Sequence, residues 1–227
     1  MQQRAPQLRR AGGFAALYVA VAYLAAIPYL VFLVDYPGAT DPSDKLALLV
    51  EHETGLYVIH LLSFELVALA LIVVTLAVHE HLREHAPATS QVAVVVGLIR
   101  AGLLVASVLV FNHGMTVAVD QQASDPQQAA ATWQVIEAIA DALGGTGGDV
   151  LSAVWFLLVS WVALRSRVFP RALNWLGLGV GTAALLSAVP GLCSLEVVVG
   201  LLQIAWFLGF GAVTVRIRSA DAPLHQV

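Results

Sequence analysis

Residues 92–118 read VAVVVGLIRAGLLVASVLVFNHGMTVA. Arg100 is the one formal charge in that run. A helix needs about 20 predominantly apolar residues to cross the hydrocarbon core of a bilayer. Five more segments meet that requirement, at roughly 12–34, 55–78, 146–164, 173–192 and 196–215. Backbone groups in lipid must be satisfied within their own segment, so all six are expected as helices. The reading is an all-α bundle of about six transmembrane helices forming one domain over 1–227.

Composition points the same way. The chain is 59% hydrophobic and 11% charged, with a mean hydropathy of +0.83. A soluble domain carries roughly 45–50% apolar and about 25% charged residues. The net charge of −4 and the lack of a basic run exclude a nucleic-acid partner. Cys193 is the single cysteine, which excludes an internal disulfide and a thiolate metal cluster. Ten of the eleven basic residues are arginine, and Ala, Val and Gly are abundant, as a GC-rich bacterial genome tends to produce. Arg4, Arg9 and Arg10 resemble a signal leader, but the apolar run 12–34 exceeds the 7–15 residues of a signal-peptide core and is read as a retained span.

Charge sets the orientation. Arg4, Arg9, Arg10, Arg83, Arg165, Arg167, Arg171, Arg216 and Arg218 all fall on one side of the spans. The other side has Lys45 and is acidic through Asp35, Asp41, Asp44, Glu51, Glu53, Asp120, Asp125, Glu137 and Asp141. Arginine-rich flanks stay in the cytoplasm, so both termini are expected inside, in a bacterial plasma membrane.

Asp41-Pro42 and Asp125-Pro126 each set a capping residue before a proline suited to the first helical turn. After the second, Trp133, Ile136, Ala140 and Leu143 recur at helical spacing. This predicts a short helix in the outer interface with Trp133 as its anchor, or else a helix capping the bundle by packing on neighbouring spans. Gly144-Gly145-Thr146-Gly147-Gly148 follows, with no basic residue to hold a phosphate, and reads as a flexible joint. Gly177 and Gly181 have the spacing that lets helices approach closely, within the bundle or in a dimer.

Ionisable residues inside spans are costly and are therefore site candidates. They are His60 and Glu65 in the second span, and Arg100 and His113 in the third. At 1.5 Å per residue Glu65 and Arg100 lie ~20 and ~12 Å from the inner ends of their helices. Their side chains lean apart, and Arg100 can instead snorkel to the cytoplasmic head groups. Glu65 is then a neutral hydrogen-bonded group or a proton carrier. His60 and His113 fall at nearly one depth, ~27 and ~31 Å, with Asn112, Asp149 and Glu196 nearby. Two such imidazoles suit a metal, a haem, a proton relay or plain interfacial hydrogen bonding. His81-Leu82-Arg83-Glu84-His85 matches H-x-x-E-H by letter, but at the end of a span it reads as a solvated helix end. No cofactor is required by the sequence, and no catalytic residue stands out.

Three stretches carry a family resemblance. Arg9-Arg10-Ala11-Gly12 leads into the first span, Leu98-Ile99-Arg100-Ala101 opens the third, and Ser166-Arg167-Val168-Phe169-Pro170-Arg171-Ala172-Leu173 with Trp175-Leu176-Gly177 joins the fourth to the fifth. The chain resembles a bacterial family of six-span membrane proteins classified only as a domain of unknown function. The resemblance implies a six-helix fold and a plasma-membrane location, and no activity. Three functions compete. A small transporter or ligand-binding protein would use an outer polar site of His60, His113 and Glu65. A subunit would meet a membrane-protein partner through Gly177 and Gly181, and a redox protein or enzyme would use the two histidines. Lipid is a partner in all three.

Overall fold

A computed structural model describes residues 4–144, 146–189, 191–192 and 195–220. Gly145, Pro190 and Cys193, and the side chain of Asp149, lie outside the described residues. Every regular element among those described is a helix. α1 (Arg4–Pro28) runs into a π-helical turn at Tyr29–Leu33. α2 (Pro42–His60) continues through a second π-helical turn, Leu61–Glu65, into α3 (Leu66–Leu82). α4 (Pro87–Gln122), α5 (Pro126–Gly144), α6 (Thr146–Ser166), α7 (Arg171–Ser187) and α8 (Leu195–Ala220) follow.

Local chemistry sets the helix starts. The first-turn N–H groups of a helix lack partners, so a side-chain oxygen fills one and proline presents none. Asp41 accepts from the Ser43 N–H at 2.8 Å ahead of α2. Asp125 accepts from the Gln128 N–H at 3.0 Å ahead of α5. Between α6 and α7 the chain reverses at Arg167, whose φ of 56° is left-handed.

Six helices close into a ring. α1 packs on α3 and α8, α4 on α3 and α6, and α7 on α6 and α8. Neighbours run antiparallel, and small residues set their spacing. A Cβ on Gly97 would lie 2.6 Å from Thr75 Oγ1 of α3 and 2.9 Å from Trp155 Nε1 of α6. One on Gly181 would lie 2.6 Å from Leu157 Cγ and 2.9 Å from the Ala153 carbonyl. Gly177 meets Ser160, also of α6, and Trp206 of α8. The Gly177/Gly181 face of α7 is therefore filled within the chain. Gly181→Ala should lower stability by about 1–3 kcal/mol, because a backbone carbonyl cannot rotate away as a side chain can. Reversible unfolding in detergent would measure it, and an unchanged midpoint would show that α6 and α7 have slack.

The ring has an arginine end, with Arg9, Arg83, Arg165 and Arg171, and an acidic end, with Asp41, Asp125 and Glu137. Its centre is aromatic. Trp206 has ring contacts with Trp155, Phe156, Phe207 and Phe210 at 5.1–5.6 Å between centroids. A second core lies at the acidic end, where Leu46, Leu49, Leu56, Phe111, Met115 and Trp133 pack together. There α5 leans on α4, α2 and α6.

Among the described residues, four helical stretches are long and apolar enough to cross a membrane: Pro6–Leu33, Pro42–Leu82, Pro87–Gln122 and Leu195–Arg216. α6 adds a shorter apolar stretch, Val150–Ser166. α7, at 17 residues, spans ~25 Å, about a turn short of a 30 Å core. The second stretch begins well before residue 55, because α2 starts at Pro42 and bends at His52 (φ −115°, ψ 18°) instead of ending.

One expectation is corrected. Trp133 is fully buried and cannot anchor α5 in a lipid interface. Its indole N–H finds an acceptor in the Tyr36 hydroxyl at 3.2 Å, and its ring packs edge-on against Phe111. The large apolar residues that α5 exposes are Val135 and Ile139.

Candidate functional site

The acidic end gathers polar groups from three stretches far apart in sequence. α5 presents Glu137 and Asp141 one turn apart, α2 brings Lys45, and the segment before α2 brings Tyr36. One oxygen of Glu137, Oε1, accepts from Lys45 Nζ at 2.6 Å and from the Tyr36 hydroxyl at 2.8 Å. Lys45 also lies 5.3 Å over the Tyr36 ring. Burial, then the hydrogen bond and charge of Glu137, raise the Tyr36 hydroxyl well above its ordinary value, so it stays a donor.

Beside this cluster is a cavity of about 230 Å³. Its polar lining is Tyr36, His60, Ser107, Glu137 and Asp141, and Phe64 and Phe111 form apolar walls. His60 is held in two ways. Its ring stacks on Phe111 at 3.9 Å and on Phe64 at 5.2 Å, and its Nδ1 lies 2.8 Å from the Leu56 carbonyl. A carbonyl only accepts, so Nδ1 carries the hydrogen and Nε2 remains as an acceptor for a ligand. The π-helical turn Leu61–Glu65 starts at the next residue and is braced from α1. Tyr18 donates to the Leu62 carbonyl at 2.6 Å and Ser63 to the Ala22 carbonyl at 3.2 Å. Such turns recur at functional sites because they rotate side chains out of the α-helical register.

Asp141 has a titration to test. Burial first, then the neighbouring Glu137 charge, raise its carboxyl pKa above its ordinary value, with Lys45 acting in the opposite sense. A raised carboxyl pKa favours the protonated folded state, so the stability it contributes is complete below the ordinary pKa. That contribution is lost as pH rises through the folded value. Asp141→Asn should therefore gain on the wild type as pH rises from about 4 to 7. Paired thermal melts across that range check this, and a gap constant with pH would contradict it.

The four candidate residues from the sequence have different settings. His60 lines the cavity. His113 lies two residues beyond Phe111, about 200° around α4, and is exposed, so the two histidines do not converge. Glu65 is half-buried at the end of its π-helical turn. Arg100 points neither to Glu65 nor to the head groups at the arginine end. Its Nη2 donates to Gln203 Oε1 of α8 at 3.4 Å, and Gln203 Nε2 donates to Ser152 Oγ of α6 at 3.2 Å. Among the described residues no three His, Cys, Asp or Glu side chains are grouped to hold a metal ion.

The H-x-x-E-H letters straddle a helix end, since α3 stops at Leu82 and 83–85 form a turn. His81 is wedged edge-on against Phe169 and Phe210. Arg9 caps the Glu80 carbonyl at 2.7 Å, tying α1 to the end of α3.

Tyr36, Lys45, Glu137, Asp141 and Gln203 were not singled out as site residues in the sequence. Two signals pointed to some of them: Lys45 is the one lysine, and Gln203 is an amide in the middle of an apolar span.

The profile of a family described as a domain of unknown function, DUF4386, matches residues 13–215 of the chain. No curated protein and no solved structure matches it.

Proposed function

We propose, from the premise that this chain belongs to the DUF4386 family, a domain of unknown function, that it is a six-span protein of the bacterial plasma membrane that binds a small polar ligand from the outside. Both termini are cytoplasmic, and the acidic end faces out. The reading fits a small transporter in its outward-facing state. The observation that carries it is the cavity of His60, Tyr36, Glu137 and Asp141 at the acidic end, with the aromatic cluster around Trp206 filling the ring centre towards the other end.

Arginine-rich flanks favour the cytoplasmic side. Trp161, with Arg165 4.5 Å over its ring, and the exposed Trp175 make an aromatic belt at that end. Bacterial origin is supported by the Arg, Ala, Val and Gly bias of the composition. The ligand has a donor group, an amine or hydroxyl, for Asp141 and the Nε2 of His60, and a small apolar body for the Phe64–Phe111 wall. Glu65, beside Phe64 on the π-helical turn, is the proton carrier of this reading.

The test is a thermal-shift panel of amines, amino acids, polyols and carboxylates on the detergent-purified chain. At a hundredfold over its Kd a ligand stabilises by about 2.7 kcal/mol. A donor-bearing compound should stabilise the wild type and lose that effect in His60→Ala and Asp141→Asn. Equal shifts in the variants, or a blank panel, would sink the reading.

A further inference from the structure

A second cavity, of about 380 Å³, lies between α1 and α8 on the acidic half of the ring. The two helices touch closely towards the arginine end. There a Cβ on Gly13 would lie 3.2 Å from Thr214 Cβ, and one on Gly211 2.6 Å from Leu17 Cγ. Further along, the cleft separates them. One wall includes Ala26 and Ile27 of α1 and Val31 of the π-helical turn that follows it, and the α8 wall includes Val199, Gly200 and Ile204. Apart from its own helical turn, no described atom lies within 4 Å of a Cβ placed on Gly200. The flank beside it is apolar and open, with Ile27 39%, Val31 40% and Val197 71% exposed.

Arg100 and Gln203 also line this cleft. A guanidinium has five N–H donors, and among the described residues Arg100 uses one, in the long bond to Gln203. It makes no ion pair among the described residues. Arg100 lies 13 residues into α4, ~20 Å from its start, a depth at which an unpaired charge in a membrane is expensive. Gln203 is built to face it. Ser152, fully buried, takes the amide N–H, which turns the amide oxygen towards the guanidinium. Glu196 lines the cleft two turns above Gln203, towards the start of α8. Its charge repels an anion at that level, so an anion settles at Arg100.

We infer that this cleft binds the anionic end of a single-chain amphiphile, a carboxylate or phosphate, on Arg100. The alkyl chain leaves between α1 and α8 into the bilayer. The apolar walls and apolar flank favour an amphiphile over a free ion, and the unfilled guanidinium donors favour an anionic head over a neutral one. The two cavities share Leu30, Phe64 and Gly144 in their walls, but His60 and Asp141 line only the first and Arg100 and Gln203 only the second, so binding at Arg100 does not depend on what the first binds.

Native mass spectrometry of the full chain, released from a neutral detergent and titrated with palmitate, methyl palmitate or acetate, tests it. One palmitate per chain is expected. Methyl palmitate should bind about tenfold more weakly or worse, the loss that corresponds to about 1.4 kcal/mol, and acetate should leave no adduct. Arg100→Gln should weaken palmitate by a similar factor, while Trp175→Ala, at an exposed residue outside both cavities, binds it as the wild type does. Equal binding of palmitate and its methyl ester, or unchanged binding in Arg100→Gln, would overturn the proposal. Acetate binding as strongly as palmitate would also overturn it, in favour of a free anion. If Arg100→Gln does not fold, the comparison of acid with ester on the wild type decides alone.

Discussion

Trp206→Ala should lower the unfolding free energy by about 3–5 kcal/mol, the usual cost of removing a large buried aromatic side chain. Trp206 is 1% exposed, stacks on Phe210 at 5.2 Å and meets Trp155, Phe156 and Phe207 edge-on. In a bilayer the apolar side chains of neighbouring helices gain little from leaving lipid, so dispersion contacts and close packing hold the ring together. A void at its centre is too enclosed for lipid to fill, and its lining loses those contacts outright. Trp175→Ala is the control. That residue is 63% exposed, and its loss should stay within about 0.5 kcal/mol. Equal losses for the two tryptophans in detergent unfolding would show that the aromatic centre is not what holds the helices.

Glu137→Leu should cost about 2–3 kcal/mol and loosen the whole acidic end. Two hydrogen bonds converge on one carboxylate oxygen, one of them from a lysine, and a bond to a charged group contributes about 1.5–3 kcal/mol. The side chains of Lys45 and Glu137 are 23% and 14% exposed. Water therefore replaces only part of what is lost, and Lys45 is left without its counter-charge. Tyr36 also loses the acceptor that orients its hydroxyl towards Glu137 while it accepts from Trp133. Glu137→Gln keeps an acceptor and should recover part of the loss. A Glu137→Leu melt that matches the wild type would show that this cluster does not brace α5 against α2.

The helices were legible in the sequence because the membrane criterion reads composition and length, and neither needs tertiary information. The caps at Asp41 and Asp125 were legible because they act within three residues. What stayed hidden was rotation and cross-chain pairing. The stripe of Trp133, Ile136 and Ala140 identified one face of α5, yet spacing alone does not say whether that face meets lipid or protein. The structure turns Trp133 inward against Phe111. Glu137 lies off that stripe, and its partners Lys45 and Tyr36 are 92 and 101 residues away. For His60 and His113 depth can be counted from the sequence but facing cannot, and it is Phe111, not a second imidazole, that lies against His60. Arg100 was flagged as an ionisable group in a span. Its partner Gln203, 103 residues on, carries no charge, and nothing local in the sequence pairs the two.

The proposed orientation puts the acidic end of the bundle, with both of its cavities, outside the cell. Single cysteines placed at Asp125 and at Arg167, each with Cys193 changed to serine, test this directly when intact cells are treated with a membrane-impermeant maleimide. The cysteine at 125 should label in intact cells, and that at 167 only after the membrane is opened. Labelling at 167 with protection at 125 would invert the protein and contradict the account.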